Sequence, residues 1–148
     1  MSVLPKKVFD LRNELMRNPR RVEKTQALTL DGGRPSLGLR GTYGLFGSQE
    51  WWNSVNSGRM PLLRVSGIVE SVYAAGQDEA EVDTVDIRSA DGKLHSVGIY
   101  VNDQADLQLF QIGYSIEVVY ALDELKLQPA SDGSVNVSMV ALEMTVSN

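Results

Sequence analysis

From Pro61 onwards the sequence alternates between β-rich runs and short turn signals, and this alternation constrains the fold more than any other feature. Runs rich in β-branched and aromatic residues, bounded by Gly, Pro, Asn and Asp, are typical of strands. Gly67 interrupts the first run, which predicts a bulge or a tight bend at that point. The sequence predicts five strands, at Leu62–Ala75, Val82–Ser89, Lys93–Val101, Gln111–Leu122 and Val135–Val146.

The second and third predicted strands form a hairpin around Gly92. A three-residue loop with Gly92 in the left-handed conformation places Val85 opposite Val97 and Ile87 opposite His95. This register collects the apolar side chains of both strands on one face, whereas a two-residue turn separates them. We therefore predict the three-residue loop.

A polar segment at residues 102–110 separates the third and fourth strands and predicts a short helical or irregular crossover. Three strands, a helical element and two more strands follow the order of the OB-fold, which residues 62–146 resemble in topology. This resemblance implies a mainly β, five-stranded OB-like barrel with a short helix between strands 3 and 4. A β-sandwich or another small barrel fits the same pattern. The segment GLFGSQEWW, from Gly44 to Trp52, also resembles segments of uncharacterised bacterial proteins, and that resemblance implies no activity.

The N-terminal part of the chain predicts an arm that is helical and rich in glycine. Pro5 and apolar residues at helical spacing predict a helix over residues 5–17. Asn18-Pro19 ends it, because the residue before a proline avoids helical angles. Residues 20–47 show no sustained periodicity and carry a glycine at every third position near their end. They predict an extended, flexible connector.

A second short helix is predicted from Ser48, a good N-cap, to Gly58, a natural helix terminator. Trp51 and Trp52 are adjacent, so they lie about 100° apart around this helix. One of them is therefore expected in the core and the other at its margin or in an interface. The alternative is burial of both tryptophans between this helix and the barrel. It is favoured because aromatic side chains often provide much of the packing in a core.

The net charge of −5 hides a division along the chain. Residues 1–60 hold 10 Lys and Arg against 5 Asp and Glu, whereas residues 61–148 hold 4 against 14. The balances are therefore +5 and −10, and such asymmetry is typical of an interaction arm beside a body of opposite charge. The sequence predicts a basic arm over 1–60, with two short helices and the Gly-rich connector, and an acidic OB-like barrel over 61–148.

The acidic residues of the barrel concentrate in the loop between its first two strands and in the loop between its last two. OB-folds that bind ligands use these loops and the strands between them. Outward-facing Arg88 and Tyr100 add a cation and a ring, although the acidic rim repels phosphates. The default interpretation of these acidic residues is a solvated rim. Binding of Ca²⁺ or Mg²⁺ is the alternative, although the acidic residues do not have EF-hand spacing. The predicted binding residues are Trp52, Tyr73, Asp78, Glu79, Glu81, Arg88, Tyr100, Asp123 and Glu124.

Neither an enzyme nor a cofactor protein is expected from these residues. The chain has no cysteine, which excludes disulfides, thiolate metal sites and a cysteine nucleophile. Its single histidine, His95, has no recognisable catalytic partner and is interpreted as a half-buried structural residue. The N-terminal sequence lacks the apolar run of a signal peptide, and no segment is apolar enough to span a bilayer, so we expect a cytoplasmic protein without a membrane partner.

We therefore expect a non-enzymatic binding domain whose acidic barrel face accepts a basic protein segment. That segment belongs to the chain's own arm, to a neighbouring subunit or to a protein partner, and docking onto a second copy makes a homodimer. An inhibitor of a basic toxin is one version of this function, although no residue singles it out. The alternative is an OB-like nucleic-acid-binding protein in which the basic residues of 6–40 contact the phosphates.

Overall fold

The structure, a computed structural model, describes residues 4–75, 81–129 and 135–148. Within these residues no helix is long and apolar enough to cross a membrane. The elements are, in chain order, β1 (Lys6–Asp10), α1 (Leu11–Arg17), α2 (Pro19–Leu30), α3 (Gln49–Ser57), β2 (Leu62–Tyr73), β3 (Thr84–Arg88), β4 (Leu94–Gly98), a 3₁₀ helix (Gln104–Leu109), β5 (Ser115–Pro129) and β6 (Val135–Ser147).

The strands form one six-stranded sheet with the order β1-β6-β5-β2-β3-β4, which makes the protein mainly β. β1 pairs antiparallel with β6, β2 with β3, and β3 with β4. The run β5-β2-β3-β4 is that of a Greek key, in which a fourth strand returns to lie beside the first. The predicted five-stranded closed barrel is not confirmed, because a sixth strand joins the sheet and the strand order has two open ends.

The N-terminal segment is a strand before it is a helix. The predicted helix over 5–17 is correct for α1 but wrong for residues 6–10, which form β1. β1 pairs with the last part of β6, where Lys7 lies opposite Thr145, and it buries Val8 and Phe9. A short helix is marginal alone, whereas pairing with β6 supplies backbone hydrogen bonds together with apolar burial.

The segment predicted as an extended connector begins with a helix, α2. Pro19 stands at its N-terminus, where the missing N–H has no consequence, so Asn18-Pro19 separates two helices and does not begin a loop. The Lys126 ammonium group donates to three carbonyl oxygens near the end of α2, those of Leu28 at 2.6 Å, Asp31 at 3.3 Å and Arg34 at 3.2 Å. This lysine therefore adds a cationic donor to carbonyl oxygens at and just after the C-terminus of α2, where a positive charge is favourable.

The glycine-rich segment after α2 is a series of packed turns, which corrects the prediction of an extended and flexible connector. Its glycines at 38, 41, 44 and 47 all have positive φ, between 76° and 100°. A Cβ at Gly38 would lie 2.8 Å from Leu28 Cγ, and one at Gly47 would lie 3.1 Å from Val22 Cγ2. The glycines therefore allow the turns to pack against α2.

The caps predicted for α3 are confirmed. The Ser48 hydroxyl accepts from the Trp51 amide at 3.2 Å, and Gly58 closes the helix with a φ of 80°. Trp51 is fully buried, whereas Trp52 is half-buried and meets the Trp51 ring edge to face at 4.8 Å. The interpretation with one core tryptophan and one marginal tryptophan is therefore correct, and burial of both is not.

The predicted β3–β4 hairpin is confirmed in register. Val85 lies opposite Val97, Ile87 lies opposite His95, and Gly92 has a φ of 85°. β2 has a bulge against β3, because its register shifts between Val69 and Ser71 and leaves Glu70 as the extra residue. The bulge or tight bend predicted at Gly67 stays a prediction.

Chain contacts divide the molecule into two compact units. Unit 1 comprises residues 1–13, 64–119 and 141–148, and unit 2 comprises residues 14–63 and 120–140. The predicted division into a basic N-terminal arm over 1–60 and an acidic OB-like barrel over 61–148 stays a prediction. The fully buried apolar side chains of unit 1 include Val8, Leu11, Val69, Val85, Ile87, Ile116, Val118, Met144 and Val146. Those of unit 2 include Trp51, Met60 and Ala121.

Candidate functional site

The candidate site is the solvent-exposed side of β2, β3 and β4 in unit 1, which we call the open face. Alternate residues of paired strands project from the same side of a sheet, so the observed register fixes its members. Ser96 and Ser71 both lie opposite Asp86, and Leu94 lies opposite Arg88. The open face consists of Ile68, Glu70, Ser71, Tyr73, Thr84, Asp86, Arg88, Leu94 and Ser96.

A carboxylate held by three hydroxyl groups occupies the middle of the open face. Asp86 Oδ1 accepts from the Tyr73 hydroxyl at 2.8 Å and from the Ser96 hydroxyl at 2.7 Å. Its Oδ2 accepts from the Ser71 hydroxyl at 3.0 Å. The hydrogen bond from Ser96, followed by that from Tyr73, lowers the pKa of Asp86 below its ordinary value of 3.8. The face therefore presents a fixed negative charge, already oriented by its neighbours.

Beside Asp86 the same face carries an ion pair. The Arg88 guanidinium donates through two nitrogens to the two carboxylate oxygens of Glu70, and its third nitrogen donates to the Gly92 carbonyl oxygen at 2.8 Å. The Arg88 hydrogen bond lowers the pKa of Glu70. The bulge allows this ion pair to form. Because Glu70 is the extra residue in β2, it lies on the open face together with Ser71.

Two aliphatic side chains flank these polar groups. Ile68 is 46% exposed and Leu94 is 50% exposed, both more than a core strand residue would be. Next to Ile68, a groove of about 710 Å³ extends along β2, β3, β5 and β6, with Ile116 and Thr145 among its lining residues. Exposed aliphatic groups beside fixed polar groups are the composition of a protein-binding surface, in which apolar anchors are set in a polar rim.

The structure brings three of the predicted binding residues to this side of unit 1. Tyr73 and Arg88 belong to the open face itself. Tyr100 follows β4 and is 37% exposed, and its ring lies 3.4 Å from the position of a Cβ at Gly98. Its other neighbour is Phe9, at 5.6 Å between ring centroids. Arg88, the expected cation, pairs with Glu70.

Three predicted residues belong to unit 2 and are used internally. Asp123 was predicted in a solvated loop, but β5 continues to Pro129 and buries it completely. Its Oδ2 accepts from the Trp51 indole nitrogen at 2.9 Å, and burial raises the pKa of Asp123 above 3.8. Glu124 likewise lies in β5, where Oε1 accepts from the Thr42 hydroxyl at 2.7 Å and lies 4.0 Å from an Arg40 nitrogen. Trp52 packs against Trp51.

The remaining predicted acids were expected in or beside the loop between the first two predicted strands. Glu81 is exposed and accepts from the Gln104 side-chain amide at 3.4 Å. Asp78 and Glu79 lie outside the described residues. Among the residues that are described, no group of three or more carboxylate or histidine side chains is placed to hold a metal ion. His95 is half-buried in β4, with its Nε2 3.2 Å from the Ser89 hydroxyl oxygen.

Sequence reasoning missed Asp86, the central residue of the open face. The signal was present, because the predicted hairpin register already sets Asp86 opposite Ser96. Ser71 and Tyr73, which also donate to Asp86, come from β2. Their approach to Asp86 depends on the bulge at Glu70. A register of β2 with its bulge at Gly67 instead of Glu70 does not bring both Ser71 and Tyr73 to Asp86.

The described residues form a mainly β protein built on one six-stranded sheet, whose open face carries a fixed carboxylate, an ion pair and two exposed aliphatic side chains. The family model described as Immunity protein RhsI2 matches residues 5–147, almost the whole chain. The chain therefore belongs to the RhsI2 immunity protein family. A search of the curated proteins found no match to this chain.

Proposed function

We propose that this chain is an immunity protein that protects its own cell by binding a cognate protein toxin, without catalysing a reaction. The observation that carries this proposal is the RhsI2 family match over residues 5–147, which covers the elements of both compact units. Binding a protein needs a surface and not a set of catalytic groups, and the open face supplies such a surface. The partner is accordingly a protein, and the chain needs no cofactor to bind it.

We further propose that the open face accepts a basic segment of the toxin, with an arginine or lysine docking on Asp86. Two carboxylates elsewhere in unit 1 already meet the chain's own basic N-terminal residues. Lys6 pairs with Asp106 at 2.7 Å, and Lys7 pairs with Glu143 at 2.7 Å. The chain's own basic residues thus occupy these two carboxylates, whereas the partners of Asp86 among the described residues are neutral hydroxyl groups.

Asp86 suits this role because its orientation is fixed before the partner arrives. A carboxylate that three hydroxyls already hold loses little conformational freedom on binding, so more of the interaction free energy appears as affinity. Ile68 and Leu94 would exclude water around the new charge pair, which strengthens its hydrogen bonds. Binding would thus combine a specific charge contact with aliphatic burial.

The sheet supporting this face is, in our proposal, a variant of the OB-fold. The Greek-key order β5-β2-β3-β4 supports this proposal, since the OB-fold is a partly open Greek-key barrel. β1 adds to it: the Asn102 amide, just after β4, donates to the Val8 carbonyl oxygen of β1 at 2.9 Å. The N-terminal strand would then occupy the opening between the two ends of the sheet.

The test of the open face is calorimetric titration of the full chain with its cognate toxin domain. Asp86→Asn keeps an acceptor for Tyr73 and Ser96 but removes the charge, and we expect affinity to fall roughly 10- to 100-fold. Glu23→Gln removes the same charge from the exposed surface of α2 and should change affinity less than about threefold. Equal affinities of the two variants would show that the toxin does not dock on Asp86.

A further inference from the structure

Unit 2 contains a second concave site, separate from the open face and its groove. The site has a volume of about 370 Å³ and lies between α2, the glycine-rich turns, β5 and β6. Its lining includes Arg21 and Lys24 from α2, Leu39 and Phe46 from the turns, and Val140 from β6. We call it the basic pocket. Its volume is at the lower end of the range for sites that hold small ligands or single anchoring side chains.

The floor of the basic pocket is apolar and firmly held. Leu39, Phe46 and Val140 are each less than 10% exposed, so the floor belongs to the core of unit 2. The Gln26 side-chain amide donates to the Phe46 carbonyl oxygen at 2.9 Å, and the backbone of Leu39 forms a bridge with Leu125 of β5. The pocket is therefore preformed, and a side chain that enters it orders little of the protein.

The rim of the basic pocket is cationic. Arg21 and Lys24 are both exposed, and the Arg21 guanidinium lies over the Phe46 ring at 5.7 Å from its centroid. Seven lysines and arginines elsewhere in the described chain pair with carboxylates, but none of the carboxylates described pairs with Arg21 or Lys24. Arg21 is positioned by the ring rather than by an acid, so both cations face the solvent at the mouth of an apolar pocket.

We propose that the basic pocket binds an acidic segment of a protein partner, with one aliphatic side chain in the pocket and flanking carboxylates on Arg21 and Lys24. Each feature of the basic pocket, its apolar floor and its cationic rim, matches one part of this ligand. The apolar floor selects a leucine-like side chain, and the cations select carboxylates on either side of it. This inference goes beyond the proposed function, and neither depends on the other.

A nucleic acid fits the basic pocket less well than a peptide. Single-stranded nucleic acids bind on exposed aromatic rings, whereas Phe46 is only 3% exposed and Arg21 already covers it. A long polyanion would also meet the net charge of −5 of the whole chain. A short acidic peptide places its charges only at the rim, within one Debye length of the two cations.

The experiment is an NMR titration of the ¹⁵N-labelled full chain with the peptide acetyl-Glu-Glu-Leu-Glu-Glu-amide. We expect saturable shifts of amides in α2 and residues 38–46. The same peptide with glutamine in place of glutamate loses its ion pairs with Arg21 and Lys24. Because each exposed ion pair contributes modestly, we expect this peptide to bind at least about fivefold more weakly. Decauridylate serves as the nucleic-acid probe and should bind more weakly than the acidic peptide.

Variants of exposed residues test the site without disturbing the core. Arg21→Gln combined with Lys24→Gln should weaken the acidic peptide about fivefold or more, whereas Arg20→Gln, which removes a neighbouring cation outside the pocket, should change binding less than about twofold. The proposal is overturned if the peptide causes no saturable shifts, if the glutamine peptide binds equally well, or if decauridylate binds more tightly. Toxin binding by the open face is measured separately, so failure here leaves that proposal standing.

Discussion

At the scale of single residues, the glycines of the turns after α2 determine whether that segment can pack. Gly38 has a φ of 93°, and a Cβ there would lie 2.8 Å from Leu28 Cγ. Gly38→Ala should therefore lower the free energy of unfolding by about 1–3 kcal/mol, through backbone strain and a displaced leucine. Denaturant unfolding measures this loss.

Gly32 is the matched control for Gly38, because it lies in the same segment and a Cβ there would meet nothing within 4 Å. Gly32→Ala should leave the free energy of unfolding within about 0.5 kcal/mol of the parent, or slightly above it. If both variants lost the same stability, the turns would not pack against α2 as described.

Asp123 is the second residue whose burial has a measurable consequence. Its side chain is 0% exposed, and its Oδ1 has no hydrogen-bond partner among the described residues. Burial raises its pKa in the folded chain, so as the pH rises from about 3.8 the unfolded chain loses this proton first. Stability is then lost with rising pH until the folded group has also ionised.

Asp123→Asn removes this titration while keeping an oxygen to accept from the Trp51 indole. The stability of the variant relative to the parent should therefore increase as the pH rises from about 4 towards 7. Urea unfolding followed by tryptophan fluorescence at several pH values measures the difference, with Glu23→Gln as the exposed control. A difference that does not change with pH would mean that the folded and unfolded pKa values of Asp123 are equal.

At the scale of elements, local patterns predicted what local contacts determine. The β3–β4 hairpin was correct in register because side-chain alternation and one left-handed glycine specify it within 15 residues of sequence. The caps of α3 were correct for the same reason. β1 was missed because its conformation depends on β6, its partner at residues 143–146, and no local period records that pairing.

The same reasoning explains the errors at α2 and β5. Asn18-Pro19 stops one helix and starts the next, and a search for stop signals alone finds only the first event. β5 was ended too early at Leu122, because Asp123 and Glu124 suggested a loop. Asp123 accepts from Trp51, and Glu124 meets the Arg40–Thr42 turn. Because both acids have these partners within unit 2, they are compatible with a strand.

The N-terminal strand can be tested directly by amide hydrogen exchange. Because β1 pairs with β6 and buries Val8 and Phe9, we expect amides in Lys6–Asp10 to be protected in the intact chain. The register shift between Lys7 and Phe9 should interrupt the alternation of protected amides expected of a regular antiparallel pair. The reference is the exchange rate of an unstructured peptide with the sequence of residues 6–10. Exchange of Lys6–Asp10 as fast as that of an unstructured peptide would contradict the pairing of β1.

At the scale of the whole molecule, the opposite charges of the two sequence halves are partly explained by contacts within each unit. In unit 1, Lys6 and Lys7 meet Asp106 and Glu143. In unit 2, Arg40 lies beside Glu124. The predicted docking of a basic segment on an acidic face stays a prediction, because the sequence does not distinguish internal pairs from a surface left for a partner. We propose that Asp86 belongs to such a surface.

The central claim is that this member of the RhsI2 family acts by binding its toxin and not by modifying it. The most direct measurement is the residual activity of the purified cognate toxin domain as the full chain is titrated in. We expect inhibition to rise linearly and to be complete near one equivalent, with full toxin activity recovered after the complex is separated in denaturant and refolded. Lasting inactivation by a small fraction of one equivalent would contradict the account, because only a catalyst acts on many toxin molecules in turn.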